Sequence, residues 1–170
     1  SFLYIENCYS STINNSIFLN NHMAHNGGII KAMNGLSSII ISNSIFEGNY
    51  AAEKGGAIFL AEQTFLIKNC SFINNIARIG AAIYFENLQN SQNIQIYDNK
   101  FINNAAFLEG GAIYFYDNFT NITNNLFVNN SALYGEDIAS FPVYFRFRMY
   151  NITDIMKKTA KLNINQLKKW

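Results

Sequence analysis

Phe101-Ile102-Asn103-Asn104-Ala105-Ala106-Phe107-Leu108-Glu109-Gly110-Gly111-Ala112-Ile113-Tyr114 is the stretch that decides the fold. It holds a Phe-x-x-Asn step, a Gly-Gly turn nine residues after the Phe, and an isoleucine three residues past the first glycine. The order recurs along the chain. Aligned on Phe18, Phe46, Phe72, Phe101 and Phe127, an asparagine follows three residues later each time, at Asn21, Asn49, Asn75, Asn104 and Asn130. Five residues before each Phe stands Ile13, Ile41, Ile67, Ile96 or Ile122, and three before it Asn15, Asn43, Asn69, Asp98 or Asn124. The turns Gly27-Gly28, Gly55-Gly56, Gly80-Ala81, Gly110-Gly111 and Gly135 lead to Ile30, Ile58, Ile83, Ile113 and Ile138. Phe-to-Phe spacings are 28, 26, 29 and 26 residues.

A period this short, built of extended apolar runs and glycine corners, predicts a β-solenoid. The expected fold is all-β, a right-handed parallel β-helix of about five coils of about 27 residues, standing roughly 24 Å tall. Three short strands per coil are expected, exemplified by Phe65-Leu66-Ile67, the run ending at Phe-x-x-Asn, and Ala57-Ile58-Phe59-Leu60. No repeat carries apolar residues at 3-4 spacing over helical length. Ile and Phe are expected to stack on their equivalents as core columns. The Asn after each Phe is expected at a corner, bonding the same atoms one coil away in an asparagine ladder and tolerating the left-handed conformation there.

Composition agrees. The chain has 170 residues, 49% hydrophobic and 14% charged, with net charge +1, which excludes a disordered acidic or basic chain. Its apolar runs are too short for a transmembrane helix. The single proline suits strands that must donate N–H groups to both neighbours, and 27 asparagines call for a positional reason.

Phe-x-x-Asn followed by Gly-Gly-Ala-Ile, as at Phe46-Glu47-Gly48-Asn49 with Gly55-Gly56-Ala57-Ile58, resembles the repeat of chlamydial polymorphic membrane proteins. The Asn-rich, Pro-poor composition is closer to large ciliate surface proteins with such repeats. The resemblance covers roughly residues 11–142, including Tyr134-Gly135-Glu136-Asp137-Ile138-Ala139-Ser140-Phe141-Pro142. It implies a right-handed β-helix exposed at a cell surface, serving adhesion or acting as a stalk. Gly27-Gly28-Ile29-Ile30, Gly80-Ala81 and Gly135-Glu136 depart from the pattern.

Residues 1–10 read as the end of a preceding coil, 11–140 as the repeats, and 141–170 as a capping strand and basic exit segment toward a further domain. Val143, Phe145, Phe147 and Met149 alternate with Tyr144, Arg146, Arg148 and Tyr150, the pattern of a half-buried strand. Residues 1–145 hold five Lys/Arg and ten Asp/Glu; 146–170 hold seven Lys/Arg and Asp154. The plain reading of that basic end is a solvated segment; the sharper one is a dock for an acidic β-helix or a membrane surface.

Little in the sequence nominates a catalyst. His22-x-x-His25 lacks further zinc ligands in register. Glu47, Glu53, Glu62, Glu86, Asp98, Glu109 and Asp117 fall at different offsets within their repeats, and Glu136-Asp137 reads as blunting an edge. Cys8 and Cys70 sit about two coils apart, beyond disulfide reach, and are expected as free thiols. Asn-x-Ser/Thr sequons occur at Asn14, Asn69, Asn118, Asn121, Asn129 and Asn151. Asn118, Asn121, Asn151, Asn129 and Asn14 are the glycosylation candidates, whereas Asn69 is expected on a ladder and unmodified.

The expected role is a non-catalytic structural or adhesive segment of a large extracellular, cell-surface or filament-forming protein. No cofactor is expected. Its partners would be copies of itself, joined head to tail, or neighbouring domains of a larger chain, and glycans. Nucleic acid is not expected, and a membrane only through parts outside this fragment. The alternatives are a carbohydrate-active β-helix enzyme and an intracellular ciliary or organellar scaffold.

Overall fold

The computed structural model describes residues 2–6, 8–33, 38–61, 64–86, 94–116 and 121–140. The basic segment 146–170, the alternating run 143–150, Glu62, Asp117, Asn118 and Asn151 lie outside the described residues.

The chain winds as parallel coils. Each complete coil carries four short strands, as in Thr64–Lys68, Ser71–Ile73, Ile76–Ile79 and Ile83–Glu86. Each strand pairs in parallel with its equivalents in the adjacent coils, giving four sheets, here I to IV in that order, of five, five, four and six strands. The expected three strands per coil become four because the run after Phe-x-x-Asn is itself a paired strand. Four coils are complete among the described residues. The last lacks a strand in sheet III, where only the bridges Ala105–Ser131 and Glu109–Tyr134 remain. Leu3–Glu6 forms the edge of sheet IV beside Ile30–Met33.

The columns form as the repeat requires. Ile13, Ile41, Ile67, Ile96 and Ile122 lie in one register in sheet I. Ile30, Ile58, Ile83, Ile113 and Ile138 do the same in sheet IV. The five phenylalanines stack face to face along sheet II with centroids 4.9, 4.9, 4.9 and 5.0 Å apart, which is the inter-strand spacing itself. Phe46, Phe72 and Phe101 are wholly buried. Replacing Phe72 or Phe101 with Ala is expected to cost about 3–5 kcal/mol by denaturant titration, because a stacked ring leaves a cavity that two neighbours cannot fill.

Coil length varies only where no ladder runs. Sheet I isoleucine to sheet II phenylalanine is always five residues, and phenylalanine to asparagine always three. Sheet IV isoleucine to the next sheet I isoleucine takes 11, 9, 13 and 9 residues, so the IV–I corner absorbs most insertions. At the III–IV corner the two glycines divide the work. Gly55 takes φ +66, which an L side chain rarely adopts. Gly56 has an ordinary φ, but a Cβ there would strike the Ala81 carbonyl of the next coil. Ala81 and Glu136 take the second position only in the two coils where phenylalanine-to-glycine spacing is eight rather than nine.

Candidate functional site

Polar side chains gather at two corners and on the outer face of sheet IV. At the II–III corner Asn21, Asn49, Asn75, Asn104 and Asn130 form the expected ladder. Each Nδ2 donates to the Oδ1 of the next asparagine, at 3.0, 2.9, 3.0 and 2.9 Å. The same oxygens accept the backbone N–H of the preceding asparagine at 3.0–3.1 Å. From Asn49 onward each Nδ2 also donates back to a phenylalanine carbonyl, as Asn75 does to Phe46 at 2.9 Å. Corner peptides that no strand reaches are thereby satisfied.

The left-handed conformation belongs to a different residue than expected. It is taken by the residue before each ladder asparagine, Asn20, Gly48, Asn74, Asn103 and Asn129, with φ between 51 and 65°. The ladder asparagines are not left-handed, so each Asn-Asn pair divides turning from bonding.

A second ladder runs at the I–II corner, where Asn15, Asn43, Asn69, Asp98 and Asn124 take the left-handed turn. The residue that follows does the bonding. Ser16 N donates to Ser44 Oγ at 3.1 Å, Cys70 N to Asn99 Oδ1 at 2.9 Å, and Asn99 Nδ2 to Asn125 Oδ1 at 3.0 Å. Asn69 is therefore an exposed turn residue, not a ladder member, which removes the ladder bonding on which its expected lack of modification rested. Its neighbour Cys70 holds the ladder place, with Sγ 3.2 Å from the Lys68 carbonyl and burial pushing its thiol pKa up to about 11. Cys8 is exposed, and both thiols are free.

The third cluster was invisible to repeat offsets. Outer positions of sheet IV stack Phe59, Tyr84 and Tyr114 with centroids 5.4 and 5.2 Å apart. Residues just before the glycine turns fold over these rings, Lys54 and Glu109 among them. Lys54 Nζ sits 4.6 Å from the Tyr84 centroid and 2.8 Å from Glu86 Oε1, with the two charged side chains 29% and 35% exposed. Glu109 bonds Tyr114, and Tyr116 lies within their electrostatic reach. Burial alone would lower the Lys54 pKa, but its bonds to Glu86 and Tyr84 outweigh it and the net direction is upward. Burial raises both Tyr84 and Tyr114, with Glu109 adding to the rise at Tyr114. Lys54 and Glu86 occupy different offsets in consecutive coils, and only the stacking of one coil's turn on the next coil's strand joins them. An ammonium held this way is a fixed positive charge and hydrogen-bond donor rather than a proton acceptor. One position before Gly27, the buried Asn26 Oδ1 has no partner among the described residues.

The remaining candidates fall singly. His22 stacks on Tyr50 with centroids 4.3 Å apart, and His25 is exposed. Among the described residues no three His, Cys, Asp or Glu side chains gather as a metal site. Asn121 and Asn129 are exposed. Exposed Asn14 accepts from Ser42 Oγ and Asn43 Nδ2 through its Oδ1, not through the Nδ2 a glycan would take. Asp137 carries more than edge-blunting charge: its Oδ1 accepts the last ladder bond, from Asn130 Nδ2 at 3.0 Å.

Comparison with known proteins bears on the fold. A family model described as a right-handed β-helix region matches residues 1–141. No curated protein and no solved structure matches the chain. With the parallel four-sheet winding, the stacked columns and this match, the chain belongs to the right-handed β-helix family.

Proposed function

We propose that this chain is a non-catalytic structural and adhesive segment of a large extracellular protein, at a cell surface or in a surface filament. One observation carries the reading: the recurring polar residues bond their own equivalents above and below. Asn75, for example, donates to Asn104 and Phe46 and accepts from Asn49. Side chains committed in this way make a stiff rod. The outer positions are free to vary between coils, as in the register Ile45, Ser71, Lys100, Leu126 in sheet II. The resemblance of the Phe-x-x-Asn and Gly-Gly-Ala-Ile steps to chlamydial polymorphic membrane proteins and ciliate surface proteins supports the surface location. So do the exposed sequons at Asn14, Asn69, Asn121 and Asn129. Labelling intact source cells with a membrane-impermeant reagent, followed by glycopeptide mass spectrometry, tests it. Labelled chain with sugar on these asparagines is expected; an unlabelled chain with every sequon bare favours an intracellular scaffold.

The Lys54–Glu86 pair with Tyr84, Glu109 and Tyr114 favours a second reading, a carbohydrate-active β-helix enzyme. A panel of polysaccharides assayed for new reducing ends decides between them. Turnover lost in Lys54→Met and Glu86→Gln, with the fold intact by circular dichroism, would establish the enzyme.

A further inference from the structure

We propose that Asp137 is a built-in stop that closes the C-terminal end of the coil stack against a further coil. This goes beyond the surface-protein reading and does not depend on it. Asp137 stands in the column of Ile29, Ala57, Ala82 and Ala112, all wholly buried. The register is strict: the carbonyls of Ala57, Ala82, Ala112 and Asp137 each accept two N–H groups from the coil before. Among the described coils, only the last places an ionisable side chain there.

Its carboxylate replaces a rung. In the inner coils each ladder Nδ2 donates to the asparagine of the next coil; at Asn130 the acceptor is Asp137 of the same coil. A coil added beyond it would bring another asparagine Oδ1 toward an Nδ2 already engaged. That asparagine's own Nδ2 would turn back to the Phe127 carbonyl, following Asn130 to Phe101. The carboxylate would then be buried beside a second acceptor with no donor, which costs far more than one ladder bond returns. An inward-facing charge at an open sheet end is a known defence against edge-to-edge growth.

The opposite end has the complementary defect. Asn21 donates to Asn49 through both N and Nδ2, and its Oδ1 receives no bond from any described residue. The first described ladder asparagine thus offers an acceptor and the last described coil a carboxylate. Copies of this chain that brought these two together would set acceptor against acceptor and could not continue one ladder.

Sedimentation velocity over a concentration series, with electron microscopy, tests this on the full chain. Asp137→Asn keeps an oxygen for Asn130 and adds an amide that can donate to Asn21 Oδ1 of another copy. It is expected to self-associate at least about tenfold more tightly than wild type, into axial fibres. Adding Leu19→Lys at the N-terminal edge of sheet II should abolish that gain. Asp137→Ala should also associate, less tightly. Folded Asp137→Asn and Asp137→Ala proteins that sediment as wild type does would overturn the proposal. If neither variant folds, wild type decides: axial end-to-end fibres overturn the stop, and their absence at high concentration supports it.

Discussion

The two ladder corners of this β-helix lie five residues apart in every coil and solve the same problem with different side chains. At the II–III corner the bonding residue is asparagine in all five coils, and at the I–II corner it is Ser16, Ser44, Cys70, Asn99 and Asn125. Both corners need a left-handed residue followed by a side chain that bonds an adjacent coil. The difference lies in what else the side chain must do. Asn49, Asn75 and Asn104 are wholly buried, and each joins three consecutive coils. Ser44 Oγ reaches only its neighbour's N–H and the Ser42 carbonyl of its own coil. The middle rungs of the I–II corner are as closed to water, with Ser44, Cys70 and Asn99 each 1% exposed, so what sets the II–III corner apart is the unbroken run of amides, which donate and accept at once. The other corner survives with a hydroxyl or a thiol.

Substitution should expose that asymmetry. Asn75→Ala strands the Asn49 N–H, takes one of two bonds from the Asn49 amide and from the Asn104 oxygen, and removes the amide donor to the Phe46 carbonyl; it is expected to cost about 4 kcal/mol by urea denaturation. Asn99→Ala removes an equivalent amide at the mixed corner, where the next rung is half-exposed, and should cost about 2–3 kcal/mol. Equal losses for the two would end the distinction between the corners.

Alkaline pH probes the thiol in the mixed ladder. Cys70 titrates near 9 when unfolded and at about 11 in the fold. A raised folded pKa means that its contribution is complete below pH 9 and is lost as pH climbs through 11. The loss is on the order of 2 kcal/mol. The upward shifts of Lys54, Tyr84 and Tyr114 act in the same direction at higher pH. A chevron or thermal series from pH 8 to 12 should show this fall, and Cys70→Ser should remove its lower part. A stability flat across that window would contradict the burial assigned to Cys70.

The smallest effect sharpens the comparison most. Cys70→Asn would bridge Ser44 and Asn99 with a donor and acceptor like those at Asn99, and should stabilise the protein by about 1 kcal/mol. Destabilisation would show that the mixed corner lacks room for the amide beneath Ser44.

The phenylalanine, isoleucine and Phe-x-x-Asn columns were legible because each recurs at a fixed offset, and a parallel coil converts equal offset into direct contact. The same logic hid the rest. Four strands per coil rather than three followed from pairing in segments as short as Tyr50–Ala51, which leave no alternation to read. Asn69 looked like a ladder residue because turning and bonding sit on adjacent positions, and composition does not separate them.

Covalent order determined the repeat, the stacked core and the corners where length must not vary, since each of these is a relation between equivalent residues. What the tertiary structure alone decided are relations between non-equivalent ones. Lys54 meets Glu86 because one coil's turn lies over the next coil's strand. Asp137 meets Asn130 where the turn of the last described coil folds back on its own ladder residue. Contacts across unequal offsets depend on coil rise, turn geometry and where the stack stops, and a one-dimensional period carries none of these.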